Sequence, residues 1–95
     1  MGAITGADSE HPASGNVSLK GRTLSFEGIN ISEGPDAHVY LTKGRDKESG
    51  KHIAKMTSFT EDHSYEVPED IDPTQYDSVV VWCEEFSVPM ALADV

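Results

Sequence analysis

The run Ser78-Val79-Val80-Val81-Trp82-Cys83 constrains the fold of this chain more than any other segment. β-Branched and aromatic residues favour extended backbone, and a short run that is apolar at consecutive positions is typical of a strand covered on both faces. Such a strand needs neighbours on either side. The sequence therefore predicts that the strand from Asp77 to Cys83 lies in the middle of a sheet or sandwich.

Alternating polar and apolar residues predict further strands. Residues 16–20 and 23–27 alternate around a Lys20-Gly21 turn, which indicates a β-hairpin, and Gly28 is placed to end or bulge its second strand. A third alternating stretch, residues 37–42, follows a Gly-Pro-Asp turn signal.

The rest of the chain shows weaker patterns. We predict an exposed loop over residues 43–51, a weak strand over 52–59, a short strand over 64–67, a turn over 69–76 with Asp72 as a helix N-cap, and a last strand that opens at Phe86, bends at Pro89 and reaches residue 92. The sum is an all-β fold, a small antiparallel β-sandwich or barrel of about seven to eight strands. Residues 1–9 are predicted to be a flexible lead and residues 10–95 a single β domain.

The charge of the chain is asymmetric. The net charge is −10, yet every Lys and Arg lies at or before Lys55, and the first 55 residues are balanced. The acidic excess therefore lies on residues 56–95, where it repels phosphate backbones and anionic lipid headgroups. We expect no nucleic-acid partner and no direct membrane insertion of this domain, since no stretch has the apolar length of a membrane span. Solubility alone explains such acidity, although a basic partner is compatible with it.

Cys83 is the only cysteine, which excludes an intrachain disulfide and a C-x-x-C redox pair. Glu84 and Glu85 follow it directly, and neighbouring carboxylates disfavour the thiolate that nucleophilic chemistry needs. A bound metal ion would supply the missing positive charge, so a metal thiolate stays open. The alternative is a small apolar residue buried in a strand.

Histidine positions support a metal site only in part. His38 and Asp36 share a strand face, where the carboxylate can orient the imidazole or share a cation with it. His38, Cys83 and Met90 follow the chain order of a blue-copper set, but no histidine follows Cys83, so His11 or another residue would have to substitute. The candidate metal ligands are His38, Asp36, His11 and Cys83. The cofactor is unknown, with a transition metal such as copper as one option, and a structural strand histidine is the alternative for His38.

No arrangement for hydrolysis or group transfer is recognisable. The chain has no serine triad, phosphate-binding loop, nucleotide fingerprint or H-E-x-x-H motif. Asp70, Asp72 and Asp77 do not have the spacing of a calcium loop. Whether the chain is an enzyme stays open, with a non-enzymatic role favoured.

Several segments, taken in order, match one family. They are His11-Pro12-Ala13-Ser14-Gly15-Asn16-Val17, Leu24-Ser25-Phe26-Glu27, Gly34-Pro35-Asp36-Ala37-His38-Val39-Tyr40-Leu41, Tyr65-Glu66-Val67-Pro68, Tyr76-Asp77-Ser78-Val79-Val80-Val81-Trp82-Cys83, Phe86-Ser87-Val88 and residues 91–95. The family's marks are an H-x-x-S-G start, a G-P-D-x-H-V-Y-L segment and an S-V-V-x-W-C strand. Over residues 10–95 the chain therefore resembles the DM-thirteen domain, a small β domain associated with electron transfer.

The resemblance implies a location and a role. The family occurs in secreted, periplasmic or lipid-anchored bacterial proteins, and beside DOMON domains in extracellular proteins of animals and plants. It implies that Cys83 is redox-active, and it carries over His11, Asp36, His38 and Trp82. The chain departs from the family at residues 54–60, where the family has a glycine-rich segment, so no function of that loop is implied here.

Two functional hypotheses follow. The first is an extracytoplasmic module with an electron-transfer or metal-linked role centred on Cys83, which meets a protein redox partner. The second is a non-catalytic binding or adhesion module in which Cys83 is part of the core. No signal peptide is recognisable, so the location rests on the resemblance, and the oligomeric state is not predicted.

Overall fold

The chain forms a β-sandwich in a computed structural model that describes residues 2–7, 12–34 and 36–95. Within these ranges the strands are β1 (Gly2–Ala3), β2 (Thr5–Gly6), β3 (Ala13–Lys20), β4 (Thr23–Ile31), β5 (Ala37–Lys43), β6 (Asp46–Lys55), β7 (His63–Glu66), β8 (Ser78–Cys83) and β9 (Val88–Asp94). One antiparallel sheet has the order β1-β3-β4-β7 and the other β2-β9-β8-β5-β6. The all-β prediction is confirmed, and the sandwich rather than the barrel is the observed architecture.

Strand β8 has the central place that its sequence predicts. It is hydrogen-bonded to β5 on one side and to β9 on the other. Val79, Val81 and Cys83 are each 2% exposed and point into the core between the sheets. Val80, on the opposite face, is also only 1% exposed. Both faces of β8 are therefore covered, which explains why its apolar residues are consecutive rather than alternating.

The β3–β4 hairpin matches the predicted turn closely. Lys20 pairs with Thr23, so Gly21 and Arg22 form the two-residue loop. Further along, Ser14 pairs with Asn30 and Asn16 with Glu27, which leaves one extra residue on β4. Gly28 lies at this point with a φ of 60°. The bulge that the sequence suggested at Gly28 is therefore present, and β4 continues beyond it.

The predicted loop over residues 43–51 is wrong. Lys43 pairs with Asp46 across a tight turn of Gly44 and Arg45, both with positive φ, and β6 runs from there to Lys55. Paired positive φ values are typical of two-residue hairpin turns. Edge strands often carry charged side chains, so the composition of this segment resembled that of a loop. The weak strand predicted over residues 52–59 therefore begins and ends too far along the chain, because β6 spans Asp46–Lys55.

The two ends of the chain add detail to the prediction. Residues 1–9 are predicted to be a flexible lead; within them β1 pairs with β3 and β2 pairs with β9, and residues 1, 8 and 9 lie outside the described ranges. The last strand begins at Val88 rather than Phe86, because Phe86 and Ser87 belong to the turn and Ser87 has a φ of 53°. Next to Pro89 the pairing of β8 with β9 shifts register: Val81 pairs with Ala91 and Trp82 with Pro89, which leaves Met90 as an extra residue in β9. A bulge of this kind bends a strand.

The segment between β7 and β8 contains the capped turn that the sequence predicts. Asp72 accepts a hydrogen bond from the Thr74 backbone N–H, and Pro73 opens a single 3-10 turn that ends at Gln75. The bonds from Thr74 lower the pKa of the Asp72 carboxyl. No helix long and apolar enough to cross a membrane occurs in the part of the chain described above.

Candidate functional site

Polar and aromatic side chains collect on the outer face of the five-stranded sheet. Along β5, Ala37, Val39 and Leu41 point into the core, so His38 and Tyr40 point outward. The pairing of β5 with β8 places Trp82 opposite His38. We call the resulting set the outer-face cluster; it consists of Asp36, His38, Tyr40, Lys47, His52, Trp82 and Glu84.

A bulge in β6 brings His52 into this cluster. Val39 pairs with Ala54, but Tyr40 pairs with His52, so β6 carries one extra residue at Ile53. The shift keeps Ile53 buried and leaves His52 on the exposed side of the strand, beside Tyr40. The rings of Tyr40 and His52 meet edge to face, with centroids 5.4 Å apart.

Asp36, His38 and His52 form a hydrogen-bonded chain. His38 Nε2 lies 2.7 Å from Asp36 Oδ1, and His38 Nδ1 lies 2.7 Å from His52 Nε2. A carboxylate accepts only, so in neutral His38 the proton lies on Nε2 and Nδ1 is the acceptor for the His52 Nε2–H. The Asp36–His38 contact that the sequence predicted is present.

Tyr40 is hydrogen-bonded to a carboxylate. Its hydroxyl donates to Glu84 Oε1, and the Glu84 backbone N–H donates in turn to the Asp36 carbonyl at 3.1 Å, which ties the residue after β8 to the start of β5. Burial, the hydrogen bond to Glu84 and the negative charges of Glu84 and Asp36 raise the pKa of Tyr40 to about 12. The phenol therefore stays protonated at any physiological pH.

Lys47 covers two aromatic rings of the cluster. Its Nζ lies 5.1 Å from the centroid of Tyr40 and 5.1 Å from the centroid of Trp82. Both distances are within the range of cation–π attraction. The cluster thus places a fixed positive charge above its two oxidisable rings and a carboxylate at the edge of one of them.

Cys83 lies on the other side of the sheet from this cluster. It pairs with Ala37 and Val88 and points into the core, where it is 2% exposed. Trp82 precedes it in the chain and points outward, as strand alternation requires. The structure therefore brings His38 and Asp36 together but separates both from Cys83 by the thickness of the sheet. His11, the fourth predicted ligand, lies outside the described residues.

The described residues contain no group of three or more His, Cys, Asp or Glu side chains that could hold a metal ion. The arrangement most similar to a metal-binding set is the pair of His38 and His52, whose ring nitrogens lie 2.7 Å apart. Asp36 is hydrogen-bonded to the other ring nitrogen of His38. Metal ligation by His38 and Asp36 stays a prediction. His52, Lys47 and Glu84 were not predicted as site residues; β6 shows no period-two burial pattern that could have identified the first two.

Fold and site together define a β-sandwich module with an oxidisable, hydrogen-bonded aromatic face. The model of one protein family, described as Electron transfer DM13, matches residues 7–95. The chain belongs to this family, as its sequence motifs predicted, and the family's description gives it a role in electron transfer. No curated protein and no solved structure matched the chain.

Proposed function

We propose that this chain carries electrons outside the cytoplasm and exchanges them with a protein partner at the outer-face cluster. The family match over residues 7–95 is the observation that carries the proposal. The cluster supports it, because Tyr40 and Trp82 are partly accessible there and Lys47 and Glu84 offer both signs of charge to a partner. Charges around a contact surface steer and orient a protein partner.

The family resemblance makes Cys83 the first residue to test as the redox centre, although it lies on the face of the sheet opposite the outer-face cluster. A thiolate that attacks a partner's disulfide forms a mixed disulfide and releases one partner thiolate. The attack requires contact with the sulfur, yet Cys83 is 2% exposed. Thiol chemistry at Cys83 therefore requires a local opening that exposes the core between the sheets.

Replacement of the thiol tests its role directly. Cys83→Ala keeps a small apolar side chain in the core, and if the thiol carries electrons the variant should lose the redox titration of the wild-type chain. Cys83→Ser provides a second variant, with circular dichroism as the control for folding. A titration that is unchanged in both variants would contradict a thiol-centred role.

The burial of Cys83 also supports the second hypothesis, a binding or adhesion module with the cysteine as core. In that case the native thiol should not react with a maleimide until the chain is unfolded. Rapid labelling of the native chain would contradict this hypothesis. Phe86, which is 64% exposed in the turn after β8, is the large apolar side chain most available to a binding partner among the residues that the structure describes.

A metal-linked form of the proposal makes a different prediction. If copper binds at His38, Cu(II) affinity should fall strongly in His52→Ala, because the ring nitrogen 2.7 Å from His38 Nδ1 is lost. Asp36→Asn should weaken binding by about 10–100-fold, since a carboxylate on the far nitrogen orients a ligating histidine. Isothermal titration measures both effects.

The matched controls for the metal are His63→Ala and Cys83→Ala. His63 bonds to the Glu61 carbonyl and to the Tyr65 hydroxyl, away from the outer-face cluster. Cys83 lies on the inner face of the sheet. Equal losses of affinity in His63→Ala and His52→Ala would show that copper binds histidines without regard to the cluster.

The location is proposed on the family resemblance and is tested separately. Antibody detection in fractionated cells of the source organism should find the protein outside the cytoplasm or attached to a membrane by a lipid. Recovery in the cytoplasmic fraction alone would overturn the proposed location but not the electron-transfer role.

A further inference from the structure

Tyr40 has the surroundings of a residue that can give up an electron. Its hydroxyl donates to Glu84 Oε1, its ring meets His52 edge to face, and Lys47 lies over the ring face. The family's electron-transfer role needs a group that changes oxidation state, and the single thiol of the chain is buried on the inner face of the sheet. This inference rests on that electron-transfer role.

Proton transfer decides how easily a phenol is oxidised. A phenol that loses one electron becomes a strong acid, so its oxidation proceeds readily only where a base accepts the proton at the same moment. A positioned base must lie within hydrogen-bond reach of that proton. Glu84 meets this condition, and the hydrogen bond is already formed before oxidation.

Lys47 distinguishes the two aromatic rings beneath it. The Nζ atom lies at the same distance, 5.1 Å, from the Tyr40 and Trp82 centroids. Oxidised Trp82 would be a radical cation, which the charge of Lys47 opposes. Loss of an electron from Tyr40 also adds one positive charge, but the proton moves to Glu84 and neutralises its carboxylate, so the ring beneath Lys47 stays neutral. Lys47 therefore opposes a charge on the Trp82 ring more directly than it opposes oxidation of Tyr40.

The other two tyrosines are less suited. Tyr65 also has a base within hydrogen-bond reach, His63 Nε2, but it is 9% exposed and points into the core, so a one-electron partner has little access to it. Tyr76 is half-buried, and Lys43 lies 5.4 Å from its ring centroid. Tyr40 is the one that combines partial exposure with a carboxylate acceptor in the described part of the chain.

We infer that Tyr40 is a redox-active residue, oxidised by one-electron partners with transfer of its phenolic proton to Glu84. The phenol O–H bond breaks, one electron passes to the oxidant, and the proton forms the neutral carboxylic acid of Glu84. The products are a neutral phenoxyl radical and the reduced oxidant. A one-electron reductant reverses the step, and the proton returns from Glu84 to the phenolic oxygen.

Flash photolysis of the whole chain tests the inference, with photogenerated ruthenium(III) tris-bipyridine as the oxidant and transient absorption as the readout. Tyr40→Phe should remove most of the phenoxyl signal while keeping the ring. Glu84→Gln should slow phenoxyl formation on the order of a hundredfold, because an amide does not accept the proton. Lys47→Gln should shift the product toward the indolyl radical of Trp82.

Tyr76→Phe is the matched control and should leave the phenoxyl signal nearly unchanged. An undiminished signal in Tyr40→Phe, or an unchanged rate in Glu84→Gln, overturns the inference. The electron-transfer role is judged by repeated cycles with added ascorbate as reductant. A wild-type chain that survives these cycles supports that role even if Tyr40 is not the carrier, and a chain that is destroyed irreversibly contradicts it.

Discussion

Phe26→Ala is expected to lower the free energy of unfolding by about 3–5 kcal/mol, as large-to-small substitutions in well-packed cores do. Phe26 is 1% exposed on β4. Its ring stacks on His63 with centroids 5.3 Å apart and meets Tyr65 edge to face at 5.6 Å. Native domains are stable by only about 5–15 kcal/mol, so this loss would be a large fraction of the total stability.

Urea denaturation measures the effect, with the fluorescence of the single tryptophan, Trp82, as the probe. Phe86→Ala is a matched control, because it removes the same ring from a side chain that is 64% exposed. The control should change stability by no more than about 0.5 kcal/mol. Similar losses in the two variants would show that Phe26 does not pack as described.

Gly15→Ala is the second substitution with a large expected effect, a loss of about 3–5 kcal/mol from backbone strain and overpacking together. Gly15 has a φ of 118°, which L side chains rarely adopt. A Cβ at this position would lie 2.7 Å from Ile29 Cα and 2.9 Å from the Gly28 carbonyl oxygen. Backbone atoms cannot rotate away, so the β3–β4 pairing at the bulge would have to open.

Gly21→Ala separates the two causes of this loss. Gly21 also has a positive φ, 60°, but no atom lies within 4 Å of a Cβ built there. The free energy of unfolding of Gly21→Ala should therefore fall only by the cost of the strained backbone conformation, about 1–2 kcal/mol. Thermal and urea unfolding of the two variants give the comparison. Equal losses of stability in the two variants would mean that the close approach of β4 to Gly15 adds nothing to the cost of a side chain at that position.

The position of the thiol relative to the outer-face cluster changes the expected mechanism. A sheet lies between Cys83 and His38, so one ion cannot be bound by both in this conformation. Thiol chemistry and chemistry on the outer face are consequently two separate hypotheses. The Cys83→Ala and Tyr40→Phe variants distinguish them, because each removes one group and leaves the other face of the sheet intact.

Local rules explain the parts of this protein that the sequence determined. The β-branched run of residues 78–83 makes β8 central, and period-two alternation puts His38 and Tyr40 on one face of β5. The same alternation places Trp82 and Cys83 on opposite faces, and Asp72 before Pro73 determines a capped turn. Each of these features depends on interactions among residues that are neighbours in the chain.

Tertiary structure alone decided which side chains meet on the outer face. Glu84 reaches Tyr40 because β8 is the neighbour of β5, and His52 meets His38 because a bulge at Ile53 sets the register of β6. Strand neighbours and bulges follow from packing across the whole sandwich, between residues 14 and 44 positions apart in these contacts. Short-range patterns carry no information at that distance, so the residues of β5 could be predicted and their partners could not.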